Sequence, residues 1–186
     1  MAKPTRALAG GIGAIFVLLL TGAVSASRQR ESANSNPTLN SAEARVRTDD
    51  PVLSTLIRQA TDRSQTFRRI VDAIQASDGI VYVRGDRCRH YVQSCLLLWM
   101  GFAGPHRVLR VNVAVGKTTD VEAMAAIAHE LRHALEVLDE PGVTTGAGMY
   151  HFYRRNHAWR GEAFETAAAI EAGDAVSKEL KRSPRN

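Results

Sequence analysis

Cysteine is nearly absent from this chain of 186 residues: it has two, Cys88 and Cys95, with six residues between them. No second Cys or His pair follows at finger-like spacing, so the alternative reading of the pair as zinc ligands makes a poor site. A local disulfide closing a loop after a strand is the expectation instead, and it implies an oxidising compartment. Basic runs interleaved with aromatics are also missing, so the net charge of +5 does not mark a nucleic-acid-binding protein. The arginines are scattered and read as solvated surface. No internal repeat is present, which excludes a solenoid. Acidic residues are absent before Glu31, and that absence defines the N-terminus.

Lys3 and Arg6 precede an uncharged, mostly apolar stretch from Ala7 to Val24, and Val24-Ser25-Ala26 is a small-residue site of the kind signal peptidase accepts. Residues 1–26 are expected to be a signal peptide, with an uncleaved membrane anchor as the alternative. Both place the remainder outside the cytoplasm, exported to a periplasm or secreted, and the only membrane contact is through that segment if it stays. Without Lys3 and Arg6 the balance falls to 22 basic against 19 acidic residues, a mild excess. Residues 27–50, rich in Ser, Asn, Arg and Thr, read as a flexible tether. The remaining residues, 51–182, have the apolar content of a folded domain: 45% of the whole chain is hydrophobic and 23% charged.

Within that domain Pro51 opens a helical stretch, one long helix or two short ones, broken around Thr61 to Gln65 and ended by Ser77-Asp78-Gly79. Ile80 to Arg84 is a strand by its β-branched and aromatic content. Leu96 to Met100 is an apolar run that fits either a strand or a buried helix. Val108 to Val115 alternates with period two, as a strand with one buried face does. A helix then starts with Thr119 or Asp120 as its cap and stops at Pro141-Gly142. Its apolar surface, from Val121 to Leu138, is broad enough to predict burial. Residues 142–160 show no clear periodicity, and a last helix is expected from about Glu162 to Leu180. The order of elements predicts an α+β domain, a small sheet packed on a helical layer.

The chemistry lies in the buried helix. His129 and His133 are four residues apart and share one helix face, so they can hold one metal ion; Glu130, beside the first, can reach a water at that ion. Two neutral imidazoles and a third ligand make an open Zn²⁺ site. Three polar groups on successive turns of an apolar helix are costly to bury unless paired or ligated, which favours the metal over histidines merely satisfied in a core.

Ala126-Ile127-Ala128-His129-Glu130-Leu131-Arg132-His133-Ala134 resembles the active-site helix of the zincin metallopeptidases. The resemblance covers residues 107 to 172 and implies zinc as cofactor, peptide or protein substrates, and Glu130 as general base. It implies a strand before the helix as the rim of the cleft, a place that Val108 to Val115 would fill. The metzincin branch, with its Gly and third His soon after the motif, is excluded by Ala134 to Asp139. The gluzincin branch takes a Glu from a later helix, and Phe164-Glu165-Thr166-Ala167-Ala168 is similar to its Glu-x-x-Ala pattern, although residue 169 is Ala where some branches have Asp. Glu165 is the expected third ligand, followed by small residues that let its helix come close; Glu162, His151 and His157 are its rivals. Tyr150, Tyr153, His151 and His157 lie where gluzincins take an oxyanion stabiliser, and Glu136 or Asp139 could hold a ligand histidine from behind. Two other classes stay open: a catalytically inactive zincin-fold binding protein of the envelope, and a metal-free interaction domain.

Overall fold

A computed structural model describes residues 43–89, 92–116, 118–156, 159–160 and 163–182. The expected signal peptide, most of the expected tether, and His90, His157 and Glu162 lie outside these residues. Among them the fold is mixed α/β, with five helices and a small mixed sheet. The first helical stretch is two helices, α1 (Pro51–Arg63) and α2 (Gln65–Ala76). Ser64 sits between them as a double device: its N–H closes α1 onto the Ala60 carbonyl, and its hydroxyl accepts from Phe67 N–H to cap α2.

Three strands of the main sheet run parallel, β1 (Val46–Arg47), β2 (Gly79–Arg84) and β5 (His106–Val113), with β2 between the others. The short strands β3 (Ser94–Leu96) and β4 (Gly101–Ala103) pair antiparallel to two stretches of β5. Gly104, at a φ of 59° that a side chain would resist, turns β4 into β5. Two expectations change here. Val46 and its neighbour Ala44 are buried and β1 is part of the sheet, so the stretch read as tether does not extend to residue 50. The apolar run Leu96 to Met100 is neither a full strand nor a buried helix: β3 ends at Leu96, and Leu98 and Trp99 are 42% and 44% exposed.

Alternation along β5 puts Leu109, Val111 and Val113 into one core with Val81 and Val83 of β2. The helices cover that face. The longest, α3 (Asp120–Leu138), starts in a capping box in which Thr119 and Glu122 bond each other's backbone N–H groups. Ile127, Leu131, Ala134 and Val137 of α3 are fully buried. Helix α5 (Ala167–Arg182) lies on α3, α2 and α1. Between them α4 (Gly146–Asn156) occupies a stretch in which the sequence shows no periodicity. A Cβ on Gly146 would collide with the Leu98 carbonyl oxygen, so this glycine lets α4 pack directly on the chain after β3. A two-stranded ribbon, β6 (Trp159–Arg160) and β7 (Ala163–Phe164), leads into α5.

The reading of every arginine as solvated fails at Arg107, which is 3% exposed. Its guanidinium donates to both oxygens of Asp78 and to the carbonyls of Val137, Leu138, Glu140 and Val143. Arg107 thus satisfies the open carbonyl end of α3 and ties it to the start of β2. That hydrogen bond, first of all, holds the Asp78 carboxyl below its ordinary range.

Glu179 performs the matching service at the other side of the helical layer. It accepts from the hydroxyls of Ser64 and Thr66 and from Thr66 N–H, docking α5 on the α1–α2 junction. Burial alone would raise its carboxyl; these bonds outweigh that and hold it low. A carboxyl depressed by folding stabilises the protein above its unfolded value and stops doing so as pH falls through the lower, folded one. Glu179→Gln should therefore cost about 1 kcal/mol near neutral pH. The difference between the two proteins in urea unfolding should shrink below about pH 4. A gap that stayed constant down to pH 3 would show that the charge is not what matters.

Candidate metal centre

Helix α3 presents its polar groups as one stripe. Glu130, His133 and Glu136 follow at intervals of three residues, all buried, with half-buried His129 on the same side. The rings of His129 and His133 meet edge-on with centroids 4.8 Å apart. The third group comes from outside the helix. Glu165 Oε2 lies 3.2 Å from His129 Nε2. Ligand atoms of His129, His133 and Glu165 all fall within 4.8 Å of one another.

Glu165 reaches this point from a position the sequence does not suggest. The last helix starts at Ala167, not near Glu162, so Glu165 stands on the short link between β7 and α5. Thr166 explains the boundary: its hydroxyl accepts from Ala169 N–H, capping α5, and donates to Glu136 Oε1 at 2.7 Å. One residue thereby ends the link, starts the helix and locks it to α3. Gly173, about two turns on, faces α3, where a Cβ would stand 3.4 Å from the Ala125 carbonyl oxygen and 3.5 Å from His129 Cβ, an ordinary packing contact.

Glu136 completes the support. Its Oε2 is 3.1 Å from His133 Nδ1 and its Oε1 takes the Thr166 hydroxyl. Burial would raise this carboxyl, but the bonds from His133 and Thr166 prevail and keep it below its ordinary value. A carboxylate at Nδ1 fixes the hydrogen on that nitrogen and leaves the lone pair on Nε2. His133 Nε2 is buried and has no hydrogen-bond partner. Such an orphan is expensive in a core and inexpensive at a cation site. Of the two carboxylates expected behind a histidine of the motif, Glu136 is bonded to His133, while Asp139 is exposed at the end of the helix.

Glu130 is held from the sheet. Ser94 of β3 donates its hydroxyl to Glu130 Oε1 at 2.8 Å. Burial, the largest influence, pushes the Glu130 carboxyl above the usual carboxylate range, and the nearby imidazoles and the bonds from Ser94 and Leu96 N–H draw it partly back. The strand at the rim is therefore β3. Val108 to Val115, expected there, contributes β5, which lies inside the sheet between β2 and the short antiparallel strands. Ser94 gave no signal in the sequence because its role needs β3 to pair on β5 and bring it to α3.

A cleft of about 800 Å³ opens on these groups, lined by His129, Glu130, His133 and Glu165 and walled by β3 and by the Leu97 to Trp99 stretch. The candidate oxyanion groups separate. Tyr153 lines the cleft but donates its hydroxyl to the His133 carbonyl at 2.8 Å, and its ring stacks on Phe164, so it holds α4 and β7 against α3. Tyr150 packs edge-on against Phe164 and accepts from Arg154, and His151 is exposed on α4. Trp99 stands on the cleft rim with the Arg110 guanidinium over its ring.

The disulfide between Cys88 and Cys95 is formed, with Cα atoms 6.0 Å apart, which fits an oxidising, exported setting. No helix among the described residues is long and apolar enough to cross a membrane.

No protein-family model, no curated protein and no solved structure matches this chain.

Proposed function

We propose that the protein is an exported zinc-dependent peptidase of the gluzincin type, with His129, His133 and Glu165 as ligands and Glu130 as general base. The observation that carries the reading is the buried, unpartnered Nε2 of His133 beside His129 and Glu165, backed at Nδ1 by the Glu136 carboxylate. The donor set suits zinc. Two imidazoles and one carboxylate are a catalytic, three-ligand set, and the 3.2 Å between His129 Nε2 and Glu165 Oε2 is close to the roughly 3.3 Å edge of a tetrahedron with zinc-like bond lengths. The zincin-like architecture belongs to the same reading, supported by a helix bearing the motif below a short edge strand.

Zinc bound there would polarise a peptide carbonyl and acidify a water molecule. The chain's own residues do the rest. Glu130 takes the proton from that water and passes it to the leaving amine; burial makes it a stronger base than an exposed carboxylate, and Ser94 fixes its orientation. Glu136 keeps the His133 lone pair aimed and raises its basicity. The β3 rim and the apolar wall at Leu97 to Trp99 hold a peptide over the site.

Metal analysis tests the centre directly. The purified protein should hold about one zinc per chain, and His133→Ala should lower zinc affinity by more than tenfold. His133→Ala should also abolish the thermal stabilisation that added zinc confers. Absence of zinc after mild purification and after reloading, with no difference between the two proteins, would eliminate the site.

A further inference from the structure

Two arginines border the same cleft and have no acidic partner. Arg87 and Arg89 line it together with the catalytic stripe, both exposed, and among the described residues neither guanidinium makes an ion pair. Their position is covalently set. They flank Cys88, whose disulfide reaches Cys95, and Cys95 stands between Ser94 and Leu96, the two residues that bond Glu130. The Asn112 side chain adds a second tether by donating to the Arg87 carbonyl. The disulfide and the Asn112 bond thus tie the two arginines to the strand that holds Glu130.

We infer that the substrates of this site are peptides carrying a carboxylate close to the scissile bond, bound by Arg87 and Arg89, with an apolar side chain against Leu98 and Trp99. The inference rests on the peptidase reading for the words scissile bond, but the binding does not depend on turnover. Planar guanidinium groups fit carboxylates with paired hydrogen bonds. Leu98 and Trp99 supply the apolar complement: both are exposed, and Arg110 steadies the indole at 4.9 Å. The carboxylate can be a free C-terminus or an Asp or Glu side chain. The arginines also line a neighbouring cavity of about 890 Å³, so the fold leaves space on either side of them.

The test measures binding first, in full-length protein carrying Glu130→Gln. The probes are four unlabelled, N-acetylated peptides of sequence Ala-Ala-Leu-X, with X as Glu or Gln and with a free or amidated C-terminus, and binding is read by isothermal titration calorimetry. Peptides with a carboxylate should bind on the order of tenfold more tightly than the fully neutral one, and the advantage should weaken at high salt. Arg87→Gln with Arg89→Gln should remove the advantage while leaving the zinc content unchanged. The amidated Glu peptide and the free-acid Gln peptide tell side chain from C-terminus. Equal binding of all four, no binding of any, or an advantage that survives the double substitution would each overturn the inference. The two readings fail separately: Glu130-dependent cleavage without charge preference sinks only this one, and charge preference in a protein that holds no zinc sinks only the peptidase.

Discussion

Glu130→Gln should lower peptide turnover by a factor on the order of 10² to 10⁴ while leaving the zinc content unchanged. The substitution is nearly isosteric. The amide oxygen can still accept the Ser94 hydroxyl that now meets Oε1 at 2.8 Å, so the side chain keeps its place. What disappears is basicity. Of the carboxylates at the site, Glu136 is engaged by His133 and Thr166 and Glu165 stands beside His129, which leaves Glu130 for the proposed role. Burial raises its carboxyl, which would make it a stronger proton acceptor in that role. The decisive measurement is initial rate on a zinc-loaded protein with metal quantified in the same sample. Activity within tenfold of the parent would place the base elsewhere and return the catalytically inactive binding protein as the better reading. Ser94→Ala separates orientation from basicity: it should reduce turnover by a smaller factor and leave Glu130 able to act.

The second large effect concerns stability. Arg107→Ala should destabilise the fold by about 3 kcal/mol, read as a drop in the urea midpoint without a change in slope. The loss exceeds that of an ordinary surface arginine because four backbone carbonyls at the end of α3 and one carboxylate would lose their donor together. Arg107→Lys should recover only part of it, since one ammonium cannot occupy the positions of three guanidinium nitrogens. Because α3 carries two of the proposed zinc ligands, the Ala variant should also bind zinc more weakly when measured at temperatures near its unfolding. A cost below about 1 kcal/mol would mean that water replaces the guanidinium at those carbonyls.

Several parts of the site were legible before any coordinates. The His129 to His133 spacing needs only the helical repeat to put both rings on one face, and the run from Val121 to Leu138 announces burial of that helix. The Cys88–Cys95 bridge follows from the nearness of the two cysteines in the chain and the lack of any other cysteine to pair with. Glu165 was reachable by motif, but with the wrong local structure. Its link between β7 and α5 is defined by the Thr166 cap, and that cap works because Glu136, thirty residues earlier, receives its hydroxyl.

Other residues acquire their roles only from the assembled fold. Ser94 looks like any loop serine until β3 pairs on β5 and carries it to Glu130. Arg107 sits in an alternating strand, where its charge suggests solvent, yet the end of α3 surrounds it. Helix α4 has no repeat to read because Gly146 and Gly148 serve close packing rather than helix propensity. Val108 to Val115, placed at the rim by resemblance alone, becomes an interior strand because the short strands β3 and β4 pair along its free side. The helix and the shared face of His129, Glu130 and His133 can be read from sequence alone, because side-chain direction on a helix depends on residues within one or two turns. The third ligand's setting, the rim strand and the partners behind each group were decided by tertiary structure, because hydrogen bonds between elements depend on where distant segments are packed.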